Sequence, residues 1–491
     1  MEDEWTVDAT EATTISLARP SPKGTEKIAA FKPSFTYPIF GKDERIFGYK
    51  GLRINIEYDA RDLRPNLTIT SDKKFSTVGD VEALDVKETM KEYLPAVAFQ
   101  SKKEFGQALR MLPDTWTPPG SLLKTLEKNG EVYEIWYGTL ADPAILQIIK
   151  RVQLMALFFI EGGSYIGEDA DGNDEPEHSL ARWTVFFAYK KGVDSEAAGK
   201  TQYTFQGYAT VYTFWMYQQP TPPASPSSEK ETDLWDLSND SFTIDQAIHR
   251  KRISQFIILP PFQGKGIGAF LYNTIFELGL KTATTKEVTV EDPNEDFDLL
   301  RDLCDLKYLL KNVPEFAELE VNTDIHVPTK AGILHHNTKI SSRGNESSDG
   351  IVDIVKLEEI RVQNKIAPRQ FWRLVEMHLM SKLPDSVRPE AIETKKSRSA
   401  APKADKHAYM LWRLLLKQRL YRRNASVLGE FEITERIIKL NETVDNVEWE
   451  YAIILERFAS KPPVANGKRT LDDDLEATGS SSKKARVEDL K

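Results

Sequence analysis

The spacing of apolar positions changes period several times along the chain, and each change marks an element. Leu52-Arg53-Ile54-Asn55-Ile56 alternates, as a strand with one buried face does. Short helices are expected over 81–93 and 102–112, and a strand over 131–137. Asp142-Pro143 marks a helix start: an aspartate caps the first turn, and the fixed φ of proline suits the first helical position. Ile145, Ile149, Val152 and Leu157 then recur near one helical face. Strands are expected over 181–189, 203–217, 251–259 and 287–291, with helices over 266–280 and 293–310. Beyond about residue 316 the pattern turns helical, near 365–383, 405–423 and 430–458.

Composition divides this pattern into regions. At about 100–200 residues per domain, 491 residues suggest roughly three domains. Residues 1–24 are polar, rich in Thr and acids, and read as a loose terminus. Domains are expected at 25–140, mixed α/β, at 141–315, and at 316–460, helical. The tract Pro-Thr-Pro-Pro-Ala-Ser-Pro-Ser-Ser within 218–233 cannot bury a core and reads as a disordered insertion, as do residues 461–491. A net charge of −10, from 75 acids against 65 bases, argues against a nucleic-acid coat and for a basic partner. The single cysteine, Cys304, excludes an intrachain disulfide and a multi-cysteine zinc site. The first residues lack the pattern of a signal peptide, and the longest apolar run, 154–160, is too short to span a bilayer, so secretion and membrane insertion are not expected.

The stretch from Arg252 to Ala269 carries the chemistry. An apolar strand runs into Gln263-Gly264-Lys265-Gly266-Ile267-Gly268, and a helix follows at once. Glycines allow close approach by a ligand, and successive N–H groups at the positive end of a helix form a cradle for a diphosphate. The dinucleotide fingerprint fails because the third glycine comes one place early, and the P-loop fails because Gly266 stands where Ser or Thr is needed. Gln-x-x-Gly-x-Gly, here Gln263, Gly266 and Gly268, fits.

That segment resembles the coenzyme A loop of the Gcn5-related N-acetyltransferases (GNAT). Ser254 to Gly268, Phe47-Gly48-Tyr49-Lys50-Gly51-Leu52 and Val290-Glu291-Asp292-Pro293 resemble, more closely, the catalytic subunits of type B histone acetyltransferases. The resemblance implies an α+β (mixed α/β) fold, with a GNAT acetyl-CoA-binding core at 141–315, and lysine acetylation of newly made histones. It implies acetyl-CoA as co-substrate, held by Gln263, Gly264, Lys265, Gly266, Ile267, Gly268 and Ala269 and by the backbone of Phe256, Ile257 and Ile258. Asn294 and Phe297 are further candidate contacts, against the plainer readings of turn polar residue and core aromatic.

An acetyl-accepting lysine must be neutral, so a carboxylate has to take its proton. By resemblance Glu291 is that base. Asp292 reads either as a helix cap, with Pro293 in the first turn, or as an auxiliary base; Glu161 matches a further family carboxylate. By resemblance Trp183, Tyr212, Thr213 and Phe214 face a histone tail with Glu44 beside it, and packing is the alternative for Trp183 and Phe214. The family has an acid where this chain has Lys42. No covalent intermediate is expected, because Cys304 reads as buried and inert.

No metal is expected. The acidic loop 168–177 lacks the glycine and the final glutamate of a calcium loop, and His335-His336 has no ligands at metal spacing. Basic clusters at 468–469 and 483–486 read as a bipartite nuclear signal or as ordinary charged tail, consistent with an expected location in cytoplasm and nucleus. Arg413, Lys417, Arg419, Arg422 and Arg423 read as a partner or a structural surface. The partners implied by resemblance are histone H4, with H3, and a WD-repeat histone-binding subunit; direct nucleic-acid and membrane contacts are not expected.

Overall fold

The computed structural model describes residues 3–21, 24–169, 172–193, 201–216, 247–325, 350–391 and 401–459. The proline-rich insertion, His335-His336 and both basic tail clusters lie outside them. The chain divides into two compact units, Met1–Pro293 and Asn294–Lys491.

The first unit holds two principal sheets. One has four strands, β1 (Thr13–Ser21), β2 (Gly24–Phe31), β3 (Arg53–Asp59) and β4 (Pro65–Thr70), in the order β2-β1-β3-β4. β1 therefore corrects the expectation of a loose terminus at 1–24. Ile15 and Leu17 are buried, and β1 pairs in parallel with β3 over Thr13↔Ile54 to Ala18↔Asp59. Its partner lies some forty residues away, so local composition does not reveal it. Helix α1 (Lys102–Met111) follows, closed by a capping box between Ser101 and Glu104.

The second sheet has six strands: β5 (Ser121–Lys128), β6 (Glu131–Thr139), β7 (Trp183–Val193), β8 (Thr201–Trp215), β9 (His249–Ile258) and β10 (Thr285–Val290), in the order β10-β9-β8-β7-β6-β5. All neighbours are antiparallel except β9 and β10, which are parallel and joined through helix α4 (Ile267–Lys281). Between β6 and β7 run α2 (Pro143–Val152) and α3 (Leu154–Phe159). Asp142 accepts from the Ala144 N–H at 2.8 Å and Pro143 opens α2, as the sequence indicates. Ile145, Ile149, Val152 and Phe158 are buried in one core with Val185, Phe187, Tyr208 and Ile257 of the sheet and Ile54 and Ile56 of the N-terminal sheet. Tyr189 donates to the Arg61 carbonyl at 2.8 Å, tying the two sheets together.

The second unit is helical in its described part: α5 (Glu295–Asn312), α6 (Ile354–Gln363), α7 (Pro368–Lys382), α8 (Lys403–Arg423) and α9 (Ile433–Ala459). The sequence places the domain boundary near residue 316, whereas the compact units divide before α5. Buried Asp302 of α5 is matched by Arg373 Nε at 2.8 Å and Gln370 at 3.0 Å, the pairing an interior charge requires. Arg413 pairs with Glu448 at 2.7 Å and Arg419 with Glu376 at 2.7 Å, so these two arginines are engaged inside the unit. Cys304 is buried in α5. No described helix is long and apolar enough to cross a membrane.

Candidate active site

The glycine loop forms because the chain must reverse from the end of β9 into α4 within eight residues. Gly264 and Gly266 have φ of 70° and 85°, the left-handed region that a side chain disfavours. Gly266 is the N-cap of α4 in that conformation. The Phe270 N–H is the first to reach back to the Gly266 carbonyl, so the N–H groups of Ile267, Gly268 and Ala269 have no acceptor within the helix. Gln263, Gly264, Lys265 and Gly266 are exposed, Ile267 is buried, and Gln263 Nε2 donates to the Ile258 carbonyl at 2.8 Å. Lys128, at the end of β5, donates to the Lys265 carbonyl at 2.6 Å. Free amides, a helix N-terminus and two lysines suit a diphosphate.

The strand before the loop is paired unevenly. With β8, β9 stays paired up to Ile258↔Gly207, with one register shift that leaves Ser254 unopposed between Ile253↔Val211 and Gln255↔Thr210. With β10, the ladder ends at Ile253↔Val290, closed by the Glu291 N–H donating to the Ile253 carbonyl at 2.8 Å. Phe256, Ile257 and Ile258 thus lie past the end of the β10 ladder; Ile257 is buried, while Phe256 and Ile258 are half-buried.

Glu291 sits where that ladder stops. Ser254 Oγ donates to its Oε2, and Arg252 Nη2 lies 3.1 Å from its Oε1. Arg252 in turn covers the Phe214 ring, 4.3 Å from the centroid. The register explains the grouping: Trp183, Tyr212, Arg252 and Thr289 form one row across four strands, and Phe214 and Glu291 lie two residues from it on the same face, on opposite sides of the row. Trp183–Tyr212 and Tyr212–Phe214 ring centroids are each 4.6 Å apart, and Arg182 covers Tyr212 at 4.5 Å. Three expected aromatics and the expected base therefore share one face. Thr213 does not join them: its hydroxyl accepts from Lys251 Nζ at 2.8 Å on the opposite face, and burial lowers the pKa of Lys251.

The remaining candidates fall around this row or outside it. Gln255 Nε2 donates to the Ser164 carbonyl at 2.7 Å, which holds the turn bearing exposed Glu161 against β9. Tyr37 Oη accepts from the Gly162 N–H at 3.1 Å, joining that turn to the loop of Glu44. Glu44 Oε1 accepts from the backbone N–H of Thr36 and, at 2.9 Å, of Tyr37, so one of its oxygens holds its own loop together. Asp292 is exposed with φ of 37°, and its capping reading is corrected. The cap of α5 is Asn294, whose Oδ1 accepts from the Phe297 N–H at 2.9 Å. Pro293 therefore precedes the cap instead of opening the helix. Asn294 and Phe297 belong to the second unit.

Residues 5–161 match the family described as histone acetyl transferase HAT1 N-terminus, and residues 344–384 match fungal HAT1, C-terminal. Over all of both chains the sequence is 48% identical to the histone acetyltransferase type B catalytic subunit of Gibberella zeae. The proteins of that name from Pyricularia oryzae and Neurospora crassa are 45% and 40% identical over 99% of each chain. The chain belongs to the type B histone acetyltransferase catalytic subunits. It is an acetyltransferase with histone substrates and acetyl-CoA as co-substrate, on the mixed α/β fold of that family.

Arg252, Ser254 and Lys128 are the site residues that sequence reading did not single out. Arg252 and Ser254 lie within the expected strand 251–259 and within the stretch quoted for the chemistry, but no spacing along the chain ties either side chain to Glu291. Lys128 reaches the loop from 137 positions away in sequence.

Proposed function

We propose that this chain acetylates lysines of the histone H4 N-terminal tail, presented with histone H3, by direct attack of the lysine amine on acetyl-CoA in a ternary complex. The observation that supports this reading is the placement of Glu291 at the end of the β10 ladder, on the same sheet face as Trp183, Tyr212 and Phe214. The amides of 264–269, with Lys128 and Lys265, take the diphosphate. The backbone of Phe256, Ile257 and Ile258 takes the pantetheine arm as an added strand does and offers N–H groups to the thioester oxygen as it gains charge. The aromatic row flanks the aliphatic stem of the lysine, and Glu44 attracts the basic tail.

The ammonium loses a proton to Glu291, the lone pair of the neutral amine attacks the acetyl carbon, the C–S bond breaks, and the proton shed by the acylated nitrogen passes to the sulfur, so that coenzyme A leaves as a thiol. Asp292 and Glu161 add negative charge near the amine. Buried Cys304 takes no part. A WD-repeat subunit completes the working form, which acts in cytoplasm and nucleus.

The test is transfer from acetyl-CoA to H4-tail and H3-tail peptides and to a small amine, by the native chain and by Glu291→Gln. The expected result is preference for the H4 tail and a kcat loss of about 10²–10³-fold in the variant, with the KM for acetyl-CoA unchanged. Equal rates for the two chains remove Glu291 as base, and equal use of the small amine removes the histone-tail reading.

A further inference from the structure

The arginine beside the base has no part in the scheme above, and its position is unusual. Its guanidinium lies against the Phe214 face, 4.3 Å from the ring centroid, with Nη2 3.1 Å from Glu291 Oε1. An aromatic wall on one side and a carboxylate on the other is the setting that an incoming lysine ammonium would occupy. Arg252 Nε is buried and has no hydrogen-bond partner. The residue is held in place by β9, between Tyr212 and Thr289 in the row, and about a third of its side chain remains open to solvent. A permanent cation thus stands where a second cation must arrive.

We infer that Arg252 is a positioning residue that repels the charged form of the substrate lysine at Glu291 and so favours the neutral, nucleophilic amine. This rests on the reading of Glu291 as base. Two like charges around one carboxylate disfavour the second, so the ammonium gives up its proton more readily there than in water. Arg252 also holds the carboxylate in one place, with Ser254 on the other oxygen. The cation therefore weakens ground-state binding of the ammonium while helping the chemical step. Loss of such an interaction lowers KM and kcat together, because the strain on the bound ground state is relieved.

The experiment uses the full chain, acetyl-CoA and a basic histone-tail peptide. In Arg252→Gln, KM for the peptide falls by about three- to tenfold and kcat falls by about tenfold, while the KM for acetyl-CoA stays the same. Arg252→Lys keeps a cation on a flexible stem and retains most of both native values. A second measurement needs no variant: a peptide with norleucine in place of the target lysine, which keeps the aliphatic stem and lacks the charged amine, binds the native chain at least as tightly as the lysine peptide. The order reverses in Arg252→Gln. A raised or unchanged peptide KM in Arg252→Gln, equal losses in the Gln and Lys variants, or weaker binding of the norleucine peptide by the native chain each overturns the inference. Full activity of Glu291→Gln overturns the base reading instead, and so separates the two failures.

Discussion

Gly207 on β8 faces the strand assigned to the pantetheine arm, and replacing it with alanine perturbs that strand selectively. A Cβ at 207 would lie 2.1 Å from the Ile257 carbonyl oxygen and 2.8 Å from the Ile258 Cα. Both are backbone atoms, so no side chain can swing aside. Ordinary C···O contacts are about 3.3–3.6 Å, so β9 must retreat by about 1.2 Å at this point. That movement weakens roughly two ladder hydrogen bonds and strains a packed sheet, for a total of about 2–4 kcal/mol. At about 2–4 °C per kcal/mol, the melting temperature falls by about 4–16 °C. The KM for acetyl-CoA rises by about tenfold or more, because the backbone at 256–258 is displaced. Gly192→Ala is the control: its Cβ would meet the Gln202 carbonyl at 3.3 Å, and its effect stays within about 0.5 kcal/mol. Thermal melts with and without coenzyme A, together with acetyl-CoA titrations of the rate, measure all of this. A Gly207→Ala chain that melts with the native one and keeps its KM refutes the argument.

Two further outcomes follow from the packing. Gly106 lies inside α1, and a Cβ there would meet nothing within 4 Å, so Gly106→Ala stabilises the chain by about 0.5–1 kcal/mol, read as a higher urea midpoint; no shift refutes it. Burial, helped by Lys382, lowers the His378 pKa to about 4, with the ring stacked on Phe316 at 5.0 Å. The imidazole stays neutral in the fold but takes a proton near pH 6.5 when unfolded, so its contribution is intact above pH 6.5. As pH drops toward 4, about 3 kcal/mol is lost. His378→Gln flattens the fall in urea stability between pH 7 and pH 5; parallel curves for the two chains refute this assignment.

What could be read in the sequence was what is local. The strand, glycine loop and helix of 249–281 lie next to one another, and both the turn and the helix start are encoded in adjacent residues. Asp142-Pro143 announced α2 for the same reason. The strand β1 is not legible locally because its burial depends on β3, nor is β5, an edge strand whose largely exposed positions blur the alternation. Asp292-Pro293 imitates a helix start, yet Asn294 one residue beyond the proline makes the bond to the Phe297 amide. The pairing of Arg252 with Glu291 arises from parallel register across a crossover, which no spacing rule displays. One oxygen of Glu44 takes two backbone amides of its own loop, a tie between residues eight and seven apart that no motif displays.

The bond from the Glu291 amide to the Ile253 carbonyl is the last tooth of a zip, and the residue that closes it also bears the acid. On the proposed reading, the length of strand left open for the thioester arm and the reach of the proton acceptor are therefore one geometric variable. One more tooth would narrow the slot and carry the carboxyl deeper; one fewer would widen it and withdraw the acid. Substitutions that alter how far these two strands run together change both substrates' fit at once, and neither can be tuned alone from this edge of the sheet.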